Sequence, residues 1–232
     1  MTGLFSSKLF SITITFFVYV IAEKLYLRFR KVWLNPVLIT IAVLIVVLRQ
    51  LGLSYETYSQ GGDIISFFLG PAVVALGVPL YLKLEEIKKK RGAIFSAILA
   101  GSLTGILSAS GLALLLGASK PVILSIAPKS VTTPIAMSIV AKIGGIPSLA
   151  ATLVVVTGIF GAVIGPTFLR LVGIKSPTAF GLAMGAAAHG IGTARALQEG
   201  EMESAFSGLA LCLNGVVTAI LTPILLRAFS VL

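Results

Sequence analysis

Apolar runs of bilayer-crossing length, separated by short polar stretches, recur along the whole chain. A hydrocarbon core of about 30 Å takes roughly 20 helical residues. Runs at 9–27, 36–53, 64–82, 93–116, 146–171, 177–197 and 206–226 approach that length. The stretch 121–143 is also about one span long, but Pro128, Lys129 and Pro134 interrupt it. It reads either as a crossing or as a re-entrant hairpin that returns to the side it entered from. The pattern predicts an all-α polytopic membrane protein, with about seven transmembrane helices plus a re-entrant hairpin, or eight spans. A β-barrel would need many alternating segments of about ten residues, a pattern this sequence lacks.

The runs are punctuated. Pro36 opens one, where the first helical turn tolerates a proline. Gly70-Pro71 and Pro79 interrupt the third, and Gly190-Ile191-Gly192 interrupts the run at 177–197. Interior glycine costs a helix roughly 1 kcal/mol relative to alanine, and interior proline frees carbonyls that other protein or a wet cavity must satisfy. With the hairpin reading, span, broken span, span over 36–116 returns with opposite orientation over 146–228, and 119–143 connects the two. Interrupted helices in an inverted repeat are a feature of secondary transporters. The whole chain, 1–232, reads as a single transmembrane domain.

Composition agrees: 57% of the 232 residues are hydrophobic and 11% charged, and the mean hydropathy is +1.06. A soluble domain carries about 25% charged residues. The net charge of +10 does not point to nucleic acid, because the basic residues sit mostly in short loops, where they set orientation. The basic loop 83–91 marks the cytoplasmic side and the 55–63 loop reads as external. The hairpin reading keeps Arg170, Lys175 and Arg227 inside and Glu199, Glu201 and Glu203 outside, and the positive-inside rule favours it. The N-terminus is expected outside and the C-terminus in the cytoplasm. With no cleavage-like site or Arg/Ser-rich leader before the first span, the chain is expected to be a mature protein of a bacterial plasma membrane. Cys212 lies inside an apolar run and reads as a packing residue.

Two clusters carry candidate chemistry. Lys129, Ser130, Thr132, Thr133 and Pro134 combine a cation, hydroxyls and a helix start, which together suit an anion. The alternative is a capped loop with a snorkelling lysine. His189, Gly190, Gly192, Thr193 and Arg195 surround the glycine break. Intramembrane ionisable residues are functional candidates by default. Arg195 has the donor fork for a carboxylate, and His189 titrates near physiological pH and is a candidate for proton coupling. Otherwise Arg195 pairs with the glutamates of the following loop and His189 packs against a backbone partner. Asn214 is a weaker candidate, and Gly70-Pro71 a candidate counterpart of the Gly190 break. One histidine and one cysteine in separate runs cannot build a His/Cys metal cluster, and no nucleophile elbow or Walker loop occurs. No metal, cofactor or enzymatic activity is expected.

Three segments, 69–81 (LGPAVVALGVPLY), 128–136 (PKSVTTPIA) and 183–195 (AMGAAAHGIGTAR), resemble the signature segments of the LrgB/CidB family, and the resemblance extends from about Asn35 to the C-terminus. Gly77 stands where alanine is expected. The resemblance implies two functional traditions. One is holin/antiholin-like control of murein hydrolase export and cell lysis, with a smaller LrgA/CidA-type membrane partner. The other is carboxylate transport, as in the plastidial glycolate/glycerate translocator, whose LrgB-like part this chain resembles, and in bacterial pyruvate uptake systems.

Interrupted helices with intramembrane donors favour a secondary transporter of small monocarboxylates, ion-coupled, over a holin/antiholin-like pore or regulator. The substrate is expected where the Thr132–Pro134 helix start meets the Gly190–Thr193 break, with Arg195 as ligand or external guard. The bilayer, an LrgA/CidA-type protein and further copies of this chain are the expected partners. Nucleic acid is not one.

Overall fold

The computed structural model describes residues 7–29, 34, 36–68, 71, 74 and 77–228, and every regular element among them is helical. The contacts divide the chain into two units, 1–75 and 76–232.

The first unit holds α1 (Lys8–Phe29), α2 (Pro36–Gln50) and α3 (Tyr55–Phe67). Helix α3 occupies the stretch expected to be an external loop. Ser54 caps it by accepting from the Thr57 N–H at 3.3 Å. Gly61 lets it lie against α1, since a Cβ there would come within 2.5 Å of the Lys8 carbonyl and Ser11. Thr15 and Tyr58 hydroxyls bond across the same pair at 2.8 Å. Tertiary packing thus overrides the helix penalty of Gly61-Gly62. Over the expected span 64–82, α3 ends at Phe67, Pro71 and Val74 are helical, and Gly77–Leu82 is a helix; residues 69–70, 72–73 and 75–76 lie outside those described. Of the Gly70-Pro71 break, Gly70 lies outside the described residues.

The second unit runs α4 (Gly77–Leu82), α5 (Leu84–Lys89), α6 (Arg91–Leu115), α7 (Lys120–Ile126), α8 (Thr133–Ile143), α9 (Pro147–Leu171), α10 (Pro177–Leu197) and α11 (Glu201–Ala228). Prolines in the first turns of α7, α8, α9 and α10 sit where a missing N–H costs nothing. Among the described residues, four helices, α1, α6, α9 and α11, are long and apolar enough to cross a membrane.

Helices α6 and α11 run parallel. Ile94 and Ile98 pack with Phe206 and Ala210, Ser102 meets Asn214, and Ala113 clusters with Leu226. Helices α7 and α8 form a hairpin that starts beyond the end of α6 and turns at 127–132. Ser125 of the entering arm accepts from the Ile146 N–H at 2.8 Å, past the end of the returning arm. Val131, Ala136 and Val140 pack on Ala150 and Val154 of α9.

Helix α10 departs from the sequence reading. Rather than a kinked crossing, it is a second hairpin. A Cβ on Gly192 would meet the Met184 carbonyl at 2.5 Å and Ala188 at 2.6 Å, although a straight helix puts positions 184 and 192 ~12 Å apart. Ala196 packs with Phe180 and Met184, so the second arm lies back along the first. The reversal sits at His189, whose φ of 43° and ψ of −133° are sterically costly for any residue but glycine, by about 1–3 kcal/mol. His189 is the one non-glycine residue with positive φ among those described.

Candidate functional site

The two hairpin turns meet on one side chain. Asn214 of α11 is 1% exposed. Its Nδ2 donates to the Ser130 carbonyl, in the α7–α8 turn, and to the Ala186 carbonyl of α10, each at 3.0 Å. Its Oδ1 accepts from Ser102 of α6 at 2.6 Å and from Thr218 at 3.4 Å. Neighbouring glycines permit the approach. Gly105 of α6 faces Ser130, and Gly101 faces Ala186, so the Gly101-xxx-Gly105 face is where both hairpins reach α6.

Beside this junction a groove of about 920 Å³ runs between α6, α9 and α10. Lys129, Ser130, Thr104, Ser108 and Thr157 line the end of it nearest the α7–α8 turn, and Lys90, Ser176 and Thr178 line the other end, termed the mouth. Alanines and glycines, among them Ala93, Ala97, Ala183 and Gly161, form most of the wall between. No carboxylate is among its lining residues, and none of the described carboxylates forms a salt bridge with either lysine. Lys129 Nζ donates to Ser130 Oγ at 3.2 Å, and Lys90 Nζ to Thr178 Oγ1 at 3.1 Å. Two cations, a row of hydroxyls and no competing acid make a lining that suits a small anion.

The expected site residues divide accordingly. Lys129 and Ser130 line the groove, and Asn214 fixes the turn that carries them. Thr132 is the N-cap residue of α8 and Thr133 its first residue, but neither lines the groove. Pro134 lines a separate cavity of about 500 Å³ between α8 and α11, with Lys142, Pro223 and Arg227.

His189 also stands apart from the groove lining. Its Nε2 lies 2.9 Å from the Val154 carbonyl, and a carbonyl only accepts, so Nε2 carries the proton. The ring lies over Gly158, where a Cβ would come within 2.6 Å of it. Thr193 donates to the His189 carbonyl at 2.9 Å and accepts from Ser207 at 2.9 Å. His189 and Thr193 therefore brace the turn between α9 and α11. Gly190 has nothing within 4 Å of a built Cβ, whereas Gly192 is packed on the first arm.

Arg195 is displaced furthest from expectation. It pairs with Glu199 at 2.6 Å, and Glu199 also takes Arg170 at 2.5 Å. Because α10 turns back at His189, Arg195 returns to the end of the unit where α9 finishes and α10 begins. It does not line the groove, and its pair with Glu199 is the alternative that the sequence left open for it.

Sequence reasoning missed Lys90, Thr178, Ser102, Thr104, Ser108 and Thr157. The available signal was polar residues spaced within apolar runs. Lys90 was hidden among the basic residues of its loop.

Residues 15–228 match the LrgB-like family. The chain is 37% identical over 220 residues to the uncharacterized protein YxaC of Bacillus subtilis (strain 168), covering 95% of this chain and 96% of that one. It is 33% identical over 218 residues to the holin-like protein CidB of Staphylococcus epidermidis, 94% of this chain and 95% of the relative. The antiholin-like protein LrgB of Bacillus cereus is 34% identical over 215 residues, 92% and 94% of the two chains. No solved structure matches it significantly. Apolar helices of spanning length and relatives of these kinds make this a multi-pass membrane protein, and with a match over residues 15–228 the chain belongs to the LrgB-like family.

Proposed function

We propose that the protein is a secondary transporter of small monocarboxylates of the glycolate, glycerate or pyruvate type across the bacterial plasma membrane. The observation that carries this reading is the acid-free groove that reaches from Lys90 to Lys129 and Ser130 at a hairpin turn. In this reading both hairpins are re-entrant, α7–α8 from one side and α10 from the other, and their turns meet near the midplane, as half-helices do in transporters. The repeat is then α6 with its hairpin and α9 with its hairpin, shorter than the halves 36–116 and 146–228 expected from hydropathy.

Charge sets the orientation. Lys83, Lys88, Lys89, Lys90, Arg91, Arg170, Lys175 and Arg195 gather at the groove mouth, against Lys120, Lys142 and Arg227 at the other end. The positive-inside rule makes the mouth cytoplasmic. Helix α11 then ends outside, opposite to the C-terminal location expected from the sequence, because the turn at His189 removes one crossing. In the mechanism, Lys129 and the surrounding hydroxyls replace the hydration shell of the carboxylate, and movement of the hairpins against α6 and α11 alternates access. An LrgA/CidA-type membrane protein and further copies of the chain are the proposed partners.

The names of two relatives favour a second reading more directly than they favour transport: a holin-like pore or antiholin-like regulator of lysis. Proteoliposomes containing the chain with its partner separate the two. Transport gives saturable uptake of labelled pyruvate or glycolate that Lys129→Gln reduces at least roughly tenfold, the factor for losing about 1.4 kcal/mol of anion interaction. Size-graded leakage of unrelated dyes, with no saturable carboxylate uptake, establishes the pore.

A further inference from the structure

We infer that Lys90, with Ser176 and Thr178, forms a separate anion-capture station at the mouth of the groove, selecting small carboxylates before they reach Lys129. Its role in uptake rests on the transport reading, whereas its existence as a site does not. The Lys90 ammonium is held in place: Nζ donates to Thr178 Oγ1 at 3.1 Å and lies 5.8 Å from the centroid of the fully buried Phe206 ring. An ammonium over an aromatic face and bonded to a nearly buried hydroxyl has fewer rotamers than the free lysine of a solvated loop.

Two donor hydrogens of that ammonium remain for an anion, since an ammonium has three. No described carboxylate lies within ion-pair distance of Lys90, although Glu86 on its own segment and Glu201 at the start of α11 are, like Glu203, in no salt bridge. On its own segment, Glu85 pairs with Lys88. Across from it, Glu199 is taken by Arg170 and Arg195. Glu203 of α11 has its carboxylate beside Gly200, and it does not form a salt bridge with Lys90.

Distance makes the station separate. Gly105, which faces Ser130, lies along α6 from Lys90, and 1.5 Å per residue between positions 90 and 105 separates them by ~22 Å. A small carboxylate is much shorter than that rise, so one held at Lys90 and Thr178 is not at the same time held at Ser130. The mouth lysine therefore acts on a still hydrated anion, and Lys129 acts after the mouth has released it.

The test uses the full chain in nanodiscs, with Cys212→Ser and a reporter Ala93→Cys in the groove wall, about one helical turn from Lys90 and far along α6 from Gly105. Modification rates are measured at low salt with a negatively and a positively charged methanethiosulfonate. The negative reagent is expected to react faster, with the rate ratio falling roughly fivefold in Lys90→Gln, the scale of one charge acting at ~8 Å in water. Lys90→Arg keeps the ratio and Lys129→Gln leaves it nearly unchanged. A ratio near one in the parent, a ratio indifferent to Lys90→Gln, or an unreactive reporter overturns the station. In proteoliposomes, Lys90→Gln raises the half-saturation concentration for pyruvate and leaves the maximal rate. If the parent takes up no carboxylate while the rate ratio holds, the transport reading fails and the station stands.

Discussion

At the scale of single residues, the site depends on side chains that hold turns more than on side chains that face the groove. Asn214 makes three bonds to other elements, to Ser102, Ser130 and Ala186. Interhelical bonds of this kind average about 0.6 kcal/mol in membranes, so Asn214→Leu is expected to cost roughly 2 kcal/mol of stability. It should also abolish uptake, as checked by thermal denaturation in detergent and by the proteoliposome assay. His189 divides two roles cleanly. As a brace it needs only an N–H aimed at Val154, and a glutamine amide supplies one; as a proton carrier it needs to titrate. His189→Gln is expected to retain a folded protein and the same pH profile of uptake, and a flattened profile would restore the proton-coupling role. Arg195→Ala is expected to lower thermal stability through the Glu199 cluster while leaving the half-saturation concentration unchanged.

At the scale of elements, the second hairpin is set by close packing on both sides of one helix pair. Gly158, Gly161 and Gly165 of α9 face His189, Ala188 and Met184, and Gly181 and Gly185 lie against the backbone of α11 at Glu203 and Ser207. Gly185→Ala puts a methyl into the Ser207 carbonyl, and overpacking of this kind costs about 1–3 kcal/mol. Gly190→Ala, at a position with open space, is expected to be much milder. Comparing the two melting temperatures tests whether packing or the bare presence of glycine makes the turn. This is also where the sequence misled. Hydropathy measures apolar length, and the arms 177–188 and 191–197 add up to one span whether the chain bends slightly or reverses. The glycines marked the break. The angle came from contacts between Met184 and Gly192 that no local pattern reports. For 121–143 the sequence left both a crossing and a hairpin open: two prolines and Lys129 marked the interruption, and the arms 120–126 and 133–143 are each too short to cross.

At the scale of the molecule, both ends of α10 lie at the same end of the second unit, and the topology proposed from this is open to a chemical check. Cysteines placed at Lys175 and Glu199 are expected to be labelled from one side of the membrane, and one at Lys142 from the other. Labelling of positions 175 and 199 from opposite sides would restore the single crossing. The all-helical class and the membrane setting were legible from residue types alone, and Lys129 and Ser130, singled out together, both line the groove. Lys90 was not legible, because a basic residue beside a span has an ordinary topological explanation, and only the fold brings Thr178 and Phe206 to it.

The carboxamide of Asn214 has a countable valence. Two N–H hydrogens and two acceptor lone pairs are matched by two carbonyls and two hydroxyls, so no hand is free. Any rearrangement that moves one hairpin turn away from this amide must therefore break the Ser130 or the Ala186 bond, and among the described residues nothing else within the amide's reach is left to replace it. One nitrogen thus ties the two hairpins to each other as well as to α11.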